Sequence, residues 1–269
     1  MYQASTRPHE PLFEDIQLSA AEIKTREISV QDLRDCLRAG FDDFVARPIS
    51  IPFQIAFYFL LALTIVLFAA DQNLRYLAFP MVAGFNLIAP IIAIGFFAMS
   101  KQREQGQEMR WSSAFSFIHT SAFAPILALS LIMMLLYVAW LYMAEMIFFG
   151  LFAENTPSTI SAFVSELFSS RRGGALIVYG NFVGFLFACT AMAISVVAFP
   201  LALDKPVTSV TAMRVSVRAF IDNLAVLCVW GLIVVALLAV GAAFFLVGLA
   251  VALPILGHAT WHLYRKLVQ

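Results

Sequence analysis

Long apolar stretches recur along this chain, and each is at least as long as a helix that crosses a membrane. A bilayer core of ~30 Å is spanned by about 20 apolar residues in an α-helix. The stretch 225–263 is apolar throughout and about twice that length, so it must turn back on itself near Gly241–Phe245. The pattern therefore predicts an all-α, polytopic membrane protein with six transmembrane helices, at about 51–70, 77–99, 122–149, 174–203, 225–241 and 244–263.

The polar region before the first span contains an amphipathic pattern. Residues 1–28 are mostly polar and are predicted to form a flexible cytoplasmic tail that precedes a membrane domain of residues 29–269. Ser29 can cap a helix with Asp32 at its third position, which is the arrangement of a capping box. An interfacial helix is predicted over Val30–Phe44, with an apolar stripe made of Val30, Leu33, Leu37, Phe41 and Phe44.

Two later polar loops resemble each other at a constant offset along the chain. Each leaves a span, turns, and enters a short amphipathic segment before the next span. The fold is thus predicted to consist of three pseudo-repeats, each an interfacial helix followed by a transmembrane hairpin. Such repeats are typical of proteins with a central site, and equally of a duplication that only yields a stable bundle. The aligned residues are Lys101, Met109, Arg110 and Ser112 in the first loop and Lys205, Met213, Arg214 and Ser216 in the second.

The long loop between the third and fourth spans contains a further amphipathic pattern, which predicts a helix at about 157–170. Thr156 is predicted to cap it and Pro157 to take its first position. It is expected to lie flat on the outer membrane surface or to bind a partner. Its apolar face would consist of Ile160, Phe163, Val164, Leu167 and Phe168.

Composition and charge indicate where the protein resides. Hydrophobic residues make up 61% of the chain and charged residues 13%, against about 25% charged in soluble domains. A net charge of zero gives no reason to expect a nucleic-acid partner. Of the 17 Lys and Arg residues, all but Arg75, Arg171 and Arg172 fall in the two tails and the two loops on their side. By the positive-inside rule both termini are predicted to be cytoplasmic.

Few polar residues lie within the predicted spans. Glu145, Asn86 and Asn181 would line a polar pathway if they converged, but they can equally be an interfacial carboxylate and packing contacts between helices. A cluster of charges at the predicted cytoplasmic rim is expected to pair within itself; it comprises Asp204, Arg214, Arg218 and Asp222.

The chain end "ILGHATWHLYRKLVQ" places two histidines one helical turn apart. His258 and His262 would share a helix face, and His119 would lie on the same side of the membrane, so a metal or haem site is conceivable. No cysteine or carboxylate stands at ligand spacing. The neighbours Trp261, Tyr264, Arg265 and Lys266 favour an anchoring belt and hydrogen-bonding roles, and no cofactor or metal is expected.

Signatures of enzymes are missing from the sequence. It has no phosphate-binding glycine loop, no Gly-x-Ser-x-Gly motif and no HExxH motif. A non-enzymatic function is therefore expected, as an accessory or scaffold subunit that contacts lipid and a larger membrane complex, such as a respiratory one. The alternative is a small transporter or channel for a lipid, a small solute or a metal ion.

The segments "FPLALDKPVTSVTAMRVSVRAFIDN" and "LPILGHATWHLYRKLV" resemble a bacterial family of predicted integral membrane proteins, classed as a domain of unknown function. The resemblance runs from about residue 28 onward and is most specific at Leu253–Arg265. In the family Asn223 is usually followed by proline, whereas this chain has Leu224. The resemblance implies six inner-membrane helices and no established activity.

Some members of the family carry a cytochrome c oxidase subunit I label. This chain lacks the histidine ligands that such a subunit needs. The hairpin repeat is more distantly similar to the membrane domain before some glycerophosphodiester phosphodiesterases.

Overall fold

The computed structural model describes residues 17–46, 77, 80, 81, 84, 87, 89–109, 111–152, 157, 159–243 and 247–269. Within these ranges the chain is helical, and its only strand-like feature is an isolated antiparallel bridge between Thr25 and Val268. The all-α prediction is confirmed to that extent. The helices are α1 (Val30–Ala46), α2 (Ala89–Glu104), a 3-10 helix (Trp111–His119), α3 (Phe123–Phe152), α4 (Ile160–Ser169), α5 (Arg171–Ser195), α6 (Ala198–Asp204), α7 (Ser209–Asp222), α8 (Leu224–Ala243) and α9 (Val247–Leu267).

Three helical stretches of the described chain are long and apolar enough to cross a membrane. They are α3, the near-continuous α5–α6 unit Arg171–Asp204, and α8. They confirm the apolar helices predicted at 122–149, 174–203 and 225–241. The span at 51–70 lies outside the described residues, as do seven residues in the first half of the one at 77–99 and the turn 244–246 before α9. The six-span arrangement therefore stays a prediction.

The amphipathic helix α1 has the predicted cap, but the face that it buries only partly coincides with the predicted stripe. The backbone N–H and the hydroxyl of Ser29 both donate to Asp32 at 2.9 Å, and the N–H of Asp32 lies 3.3 Å from the Ser29 hydroxyl. Of the predicted stripe, Val30 and Phe41 are 57% and 51% exposed. The buried positions are Leu33, which belongs to the predicted stripe, and Cys36, Gly40 and Asp43, which do not.

Residues 17–28 are not the flexible tail that the sequence suggests. Ile23 and Ile28 are 2% and 8% exposed, and the segment is bound at both ends. The N–H of Leu18 donates to Pro206 O at 3.0 Å, and that of Arg26 donates to Leu267 O at 3.0 Å. The N-terminal segment is thereby tied to the chain's C-terminus.

The parts that meet around this segment form what we call the termini-side layer. The layer buries a continuous apolar core that reaches from Ile23 through Phe199 to Val268. Helix α6 of this layer tolerates a proline, because Pro200 takes the third position of the helix, where the backbone N–H has no intrahelical partner in any case. The layer consists of residues 17–28, α1, 98–104 of α2, α6, α7 and 255–269 of α9.

The loop-side end lies at the other end of α5, about 36 Å away along its 25 residues. We define it as α4 with residues 144–152 of α3 and the first turn of α5. Thr159, rather than the predicted Thr156, caps α4 by accepting from Ala162 N, and Pro157 precedes the helix. Thr156 itself lies outside the described residues. Phe163 packs edge-on against Phe148 and Phe152.

The predicted threefold repeat is not matched throughout. Helices α1 and α7 are both amphipathic α-helices, but the corresponding middle segment is the 3-10 helix Trp111–His119. Arg110 lies outside the described residues. The three pseudo-repeats stay a prediction.

Candidate functional site

A buried polar cluster lies where α1, α2 and α9 meet in the termini-side layer. Gly40 allows the close approach, because a Cβ at that position would lie 2.6 Å from Ala259 N and 2.7 Å from Ile255 O. Asp43 follows three residues later on the same face of α1 and therefore points at α9. It is 4% exposed.

Asp43 is the centre of the cluster. Its Oδ2 accepts from the Ser100 hydroxyl at 2.6 Å and lies 2.9 Å from His262 Nε2. Its Oδ1 accepts from Arg103 Nη1 at 2.5 Å. The carboxylate is thus bound from α2 and from α9, and it connects three helices that are distant in sequence.

Ser100 extends the cluster to the second histidine. Its Oγ lies 2.7 Å from His258 Nδ1, and Ser100 and His258 are 1% and 3% exposed. The hydroxyl of Ser100 has one hydrogen, which makes the hydrogen bond to the carboxylate of Asp43. The Oγ must therefore accept the second hydrogen bond, from a protonated Nδ1 of His258. The cluster is a chain of hydrogen bonds from His258 through Ser100 to Asp43.

The electrostatics keep Asp43 ionised. Burial by itself would raise the pKa of Asp43, but hydrogen bonds from His262 and from Ser100 hold that pKa below its usual value of 3.8. Arg103 supplies the compensating positive charge at the partly exposed edge. A buried carboxylate with these donors is stable only while all of them stay in place.

The arrangement has the residue types of a Ser–His–Asp triad but not its order. In a triad the serine donates to the histidine and the histidine to the aspartate. Here the serine proton faces Asp43 directly, and Ser100 is enclosed. The geometry therefore supports joining of helices rather than nucleophilic attack.

A second cluster of charges surrounds Asp204 at the edge of the same layer. Its Oδ2 accepts from the Tyr264 hydroxyl at 2.8 Å, and its Oδ1 lies 3.0 Å from Lys101 Nζ. Arg265 bridges from Asp204, at 3.5 Å, to Glu104, at 2.9 Å. Glu104 also accepts from Trp261 Nε1 at 3.1 Å.

The predicted aromatic belt at the chain end is therefore wrong for both of its rings. Trp261 and Tyr264 are 0% exposed and hydrogen-bonded inside the protein. The alternative prediction, hydrogen-bonding roles, matches the contacts of His258 and His262. His119 does not join them, since its side chain is exposed in the 3-10 helix. In the described part of the chain, no three His, Cys, Asp or Glu residues are arranged to hold a metal ion.

The predicted rim network divides among other partners. Asp204 binds Lys101 and Arg265 instead of Arg214 or Arg218. Asp222 accepts from the Thr25 hydroxyl at 3.3 Å, and Arg218 Nη2 donates to Ile23 O. The network is therefore not self-contained, because the N-terminal segment supplies partners that no local sequence pattern predicts.

The residues of the predicted polar pathway do not share one environment. Asn181 is exposed, and its amide donates to Ile177 O of its own helix at 2.7 Å. Glu145 is half-buried on α3 and has an interaction partner. Asn86 lies outside the described residues. Trp140 of α3, near Glu145 in sequence, is buried, and its Nε1 donates to Pro80 O at 2.8 Å.

Sequence reasoning missed Asp43, Ser100, Arg103 and Glu104. The available signal was an aspartate three residues after a glycine on the interfacial helix, and a serine at the polar end of an apolar run. Neither signal names its partner, because the contacts cross 57 and 158 residues of chain.

Comparisons with known proteins identify the membrane class. No curated protein and no solved structure matches the chain. The C-terminal motif at 253–268 lies outside the segment that a family model matches, so its link to the family stays a prediction. The apolar helices α3 and α5–α6 fall within that segment and agree with the description. The chain is an integral membrane protein whose residues 78–204 match the family "Predicted integral membrane protein (DUF2189)", as the resemblance in its sequence implied.

Proposed function

We propose that the chain is a non-enzymatic accessory or scaffold subunit of a larger complex in the bacterial inner membrane, with both termini in the cytoplasm. The observation that carries this proposal is that the polar cluster around Asp43 is closed. Asp43, Ser100 and His258 bind one another and are at most 4% exposed. Side chains used in this way stabilise a rigid framework and leave no reactive group open to a substrate.

The α4 face is the surface that we assign to the partner. Phe163 of α4 packs inward, whereas Val164 and Phe168 are 45% and 78% exposed. Phe168 is the most exposed large apolar side chain of the described residues. An apolar side chain that projects from the end of a membrane helix pair is suited to a hydrophobic anchor in a neighbouring subunit.

Transport is the alternative, and it has less support. A polar pathway would need Asn86, Glu145 and Asn181 to face one hydrated cavity. The amide of Asn181 is bound to its own helix, on a surface shared with exposed apolar side chains such as Val178 and Phe182. This placement favours contact with lipid or a neighbouring subunit over contact with a solute.

Purification of the tagged chain in mild detergent tests the proposal. We expect the wild-type chain to co-purify with one membrane complex at a fixed ratio. The double variant Val164→Ser, Phe168→Ser should lose it, because the α4 face would no longer be apolar.

The matched control is Phe41→Ser with Val45→Ser, which alters the other exposed apolar face, on α1. This control should keep the complex. Recovery of the isolated chain alone would contradict the scaffold role. Loss of the complex only in the α1 variant would contradict the assignment to α4.

A further inference from the structure

A groove of about 560 Å³ runs between the end of α5 and the outer face of α7. It belongs to the termini-side layer, because α7 follows α6 there and contacts the N-terminal segment. Its walls are mostly apolar, and Val210 and Ile221 are 48% and 66% exposed. The lining residues are Ile194, Val210, Met213, Val217 and Ile221, together with Arg214, Arg218 and Asp222.

The two arginines of the groove have unused hydrogen-bond donors. They lie four residues apart and therefore on one face of α7. Arg214 is exposed, and no residue of the described chain pairs with it. Arg218 also lines the groove; it uses its Nη2 for Ile23 O, its Nε is buried, and its Nη1 has no partner in the described chain. An anion in the groove would supply the acceptors that the protein does not.

We propose that this groove binds one anionic phospholipid, with Arg214 and Arg218 on the phosphate and an acyl chain along the apolar wall. Guanidinium groups bind phosphate oxygens with two parallel hydrogen bonds. Basic pockets beside transmembrane helices, at the headgroup level, bind lipid headgroups in this way. The site does not depend on the scaffold role proposed above.

The apolar wall is the reason to prefer a lipid to free phosphate. Five of the eight lining residues are apolar and would contact nothing on an inorganic anion. Ile194 lies one residue before the end of α5, where the membrane-crossing part of the α5–α6 unit reaches this layer. An acyl chain can therefore leave the groove directly into the bilayer.

Asp222 reduces the positive charge of the groove and thereby limits the negative charge of the ligand that can bind there. With two arginines and one carboxylate, the lining carries a net charge of +1. This matches a phosphodiester headgroup with one negative charge, such as phosphatidylglycerol. A second phosphate charge would lie near Asp222 and be repelled, so phosphatidic acid should bind less well.

Lipid retention by the purified full-length chain tests the site. The chain is exchanged into nanodiscs of phosphatidylcholine with a titrated fraction of phosphatidylglycerol, and bound lipid is measured by native mass spectrometry. We expect one phosphatidylglycerol to be retained in preference to phosphatidylcholine. Arg214→Gln should weaken its retention about fivefold, because one cation near the headgroup is lost.

Two further variants separate the site from general charge attraction. Arg34→Gln removes one exposed positive charge from α1 in the same layer and should leave retention unchanged. Val217→Trp fills the groove without altering charge and should weaken retention as Arg214→Gln does. Each variant is first checked for an unchanged melting temperature.

Three outcomes would overturn the proposal. Equal losses with Arg34→Gln and Arg214→Gln would mean diffuse attraction to an anionic surface. No effect of Val217→Trp would mean that no acyl chain lies in the groove. Displacement of the lipid by millimolar inorganic phosphate would identify a site for the free anion instead.

Discussion

The termini-side layer and the loop-side end are both built from an amphipathic helix packed on longer helices, but different forces hold them together. In the termini-side layer, α1 is bound through the buried charge of Asp43, with donors from α2 and α9. At the loop-side end, α4 is bound through Phe163 on Phe148 and Phe152, and through the half-exposed pair Arg172–Glu166.

This difference predicts how far the helices at each end can shift relative to one another. A buried carboxylate has to be surrounded by donors, so it fixes the relative position of every helix that supplies one. Edge-on aromatic contacts and a half-exposed ion pair tolerate small shifts and each contribute little. The layer should therefore be the rigid part of the molecule and the loop-side end the adaptable part, which suits a surface that binds a partner.

The largest expected effect comes from Asp43→Leu. It leaves Arg103, Ser100 and His262 without their acceptor, and we expect it to lower the free energy of unfolding by about 3–5 kcal/mol. The measurement is thermal unfolding in detergent, followed by tryptophan fluorescence. Asp42→Leu is the control, because Asp42 is exposed on the same helix and has no partner in the described chain. Similar losses for the two variants would contradict the central role of Asp43.

The difference in stability between wild type and Asp43→Leu should depend on pH, because it depends on the charge of Asp43. The pKa of Asp43 in the folded protein lies below 3.8, despite the opposing effect of burial, because His262 and Ser100 donate to it. Its stabilisation is thus complete above that value and is lost as the pH falls through the lower, folded pKa. The stability gap between wild type and Asp43→Leu should narrow on acidification below pH 3.8. Narrowing only toward alkaline pH would disprove this reasoning.

A smaller effect is expected from adding one methyl group at Gly40. Its new Cβ would lie 2.6 Å from Ala259 N. Backbone atoms cannot move aside as a side chain can, so Gly40→Ala should cost about 3 kcal/mol, near the upper end for overpacking. Gly180→Ala on α5 is the matched control, since nothing lies within 4 Å of its added Cβ. It should leave the unfolding midpoint unchanged or raise it, and an equal loss at both glycines would refute the close packing of α1 on α9.

The smallest effect concerns a single hydroxyl group. Tyr264→Phe removes the donor to Asp204 Oδ2, while Lys101 and Arg265 still bind that carboxylate. We expect a loss of about 1–2 kcal/mol in the free energy of unfolding. Tyr142→Phe makes the same chemical change at a side chain that is 62% exposed, and its stability should not alter. An unaffected Tyr264→Phe would show that water replaces this hydrogen bond.

Local pattern was enough to predict several features. The apolar runs predicted the helices that became α3, α5–α6 and α8, because helix length and hydropathy are properties of one continuous segment. The capping box of Ser29 and Asp32 was predicted for the same reason, as both residues lie within one turn. The Thr156 cap was wrong because Thr159 offers the same hydroxyl three residues later.

Contacts between residues that are distant in sequence depend on the tertiary structure and could not be predicted from local pattern. The periodicity of α1 favoured Phe41 as an inward residue, but packing turned Gly40 and Asp43 inward, because only a glycine admits the backbone of α9. From sequence, Trp261 and Tyr264 were predicted to form a membrane belt. They are instead enclosed, because Glu104 accepts a hydrogen bond from Trp261 Nε1 and Asp204 accepts one from the Tyr264 hydroxyl. Local sequence patterns were thus sufficient to predict which segments are helical and apolar. The tertiary structure decided which polar side chains are buried together, because a buried charge is stable only when donors from distant segments surround it.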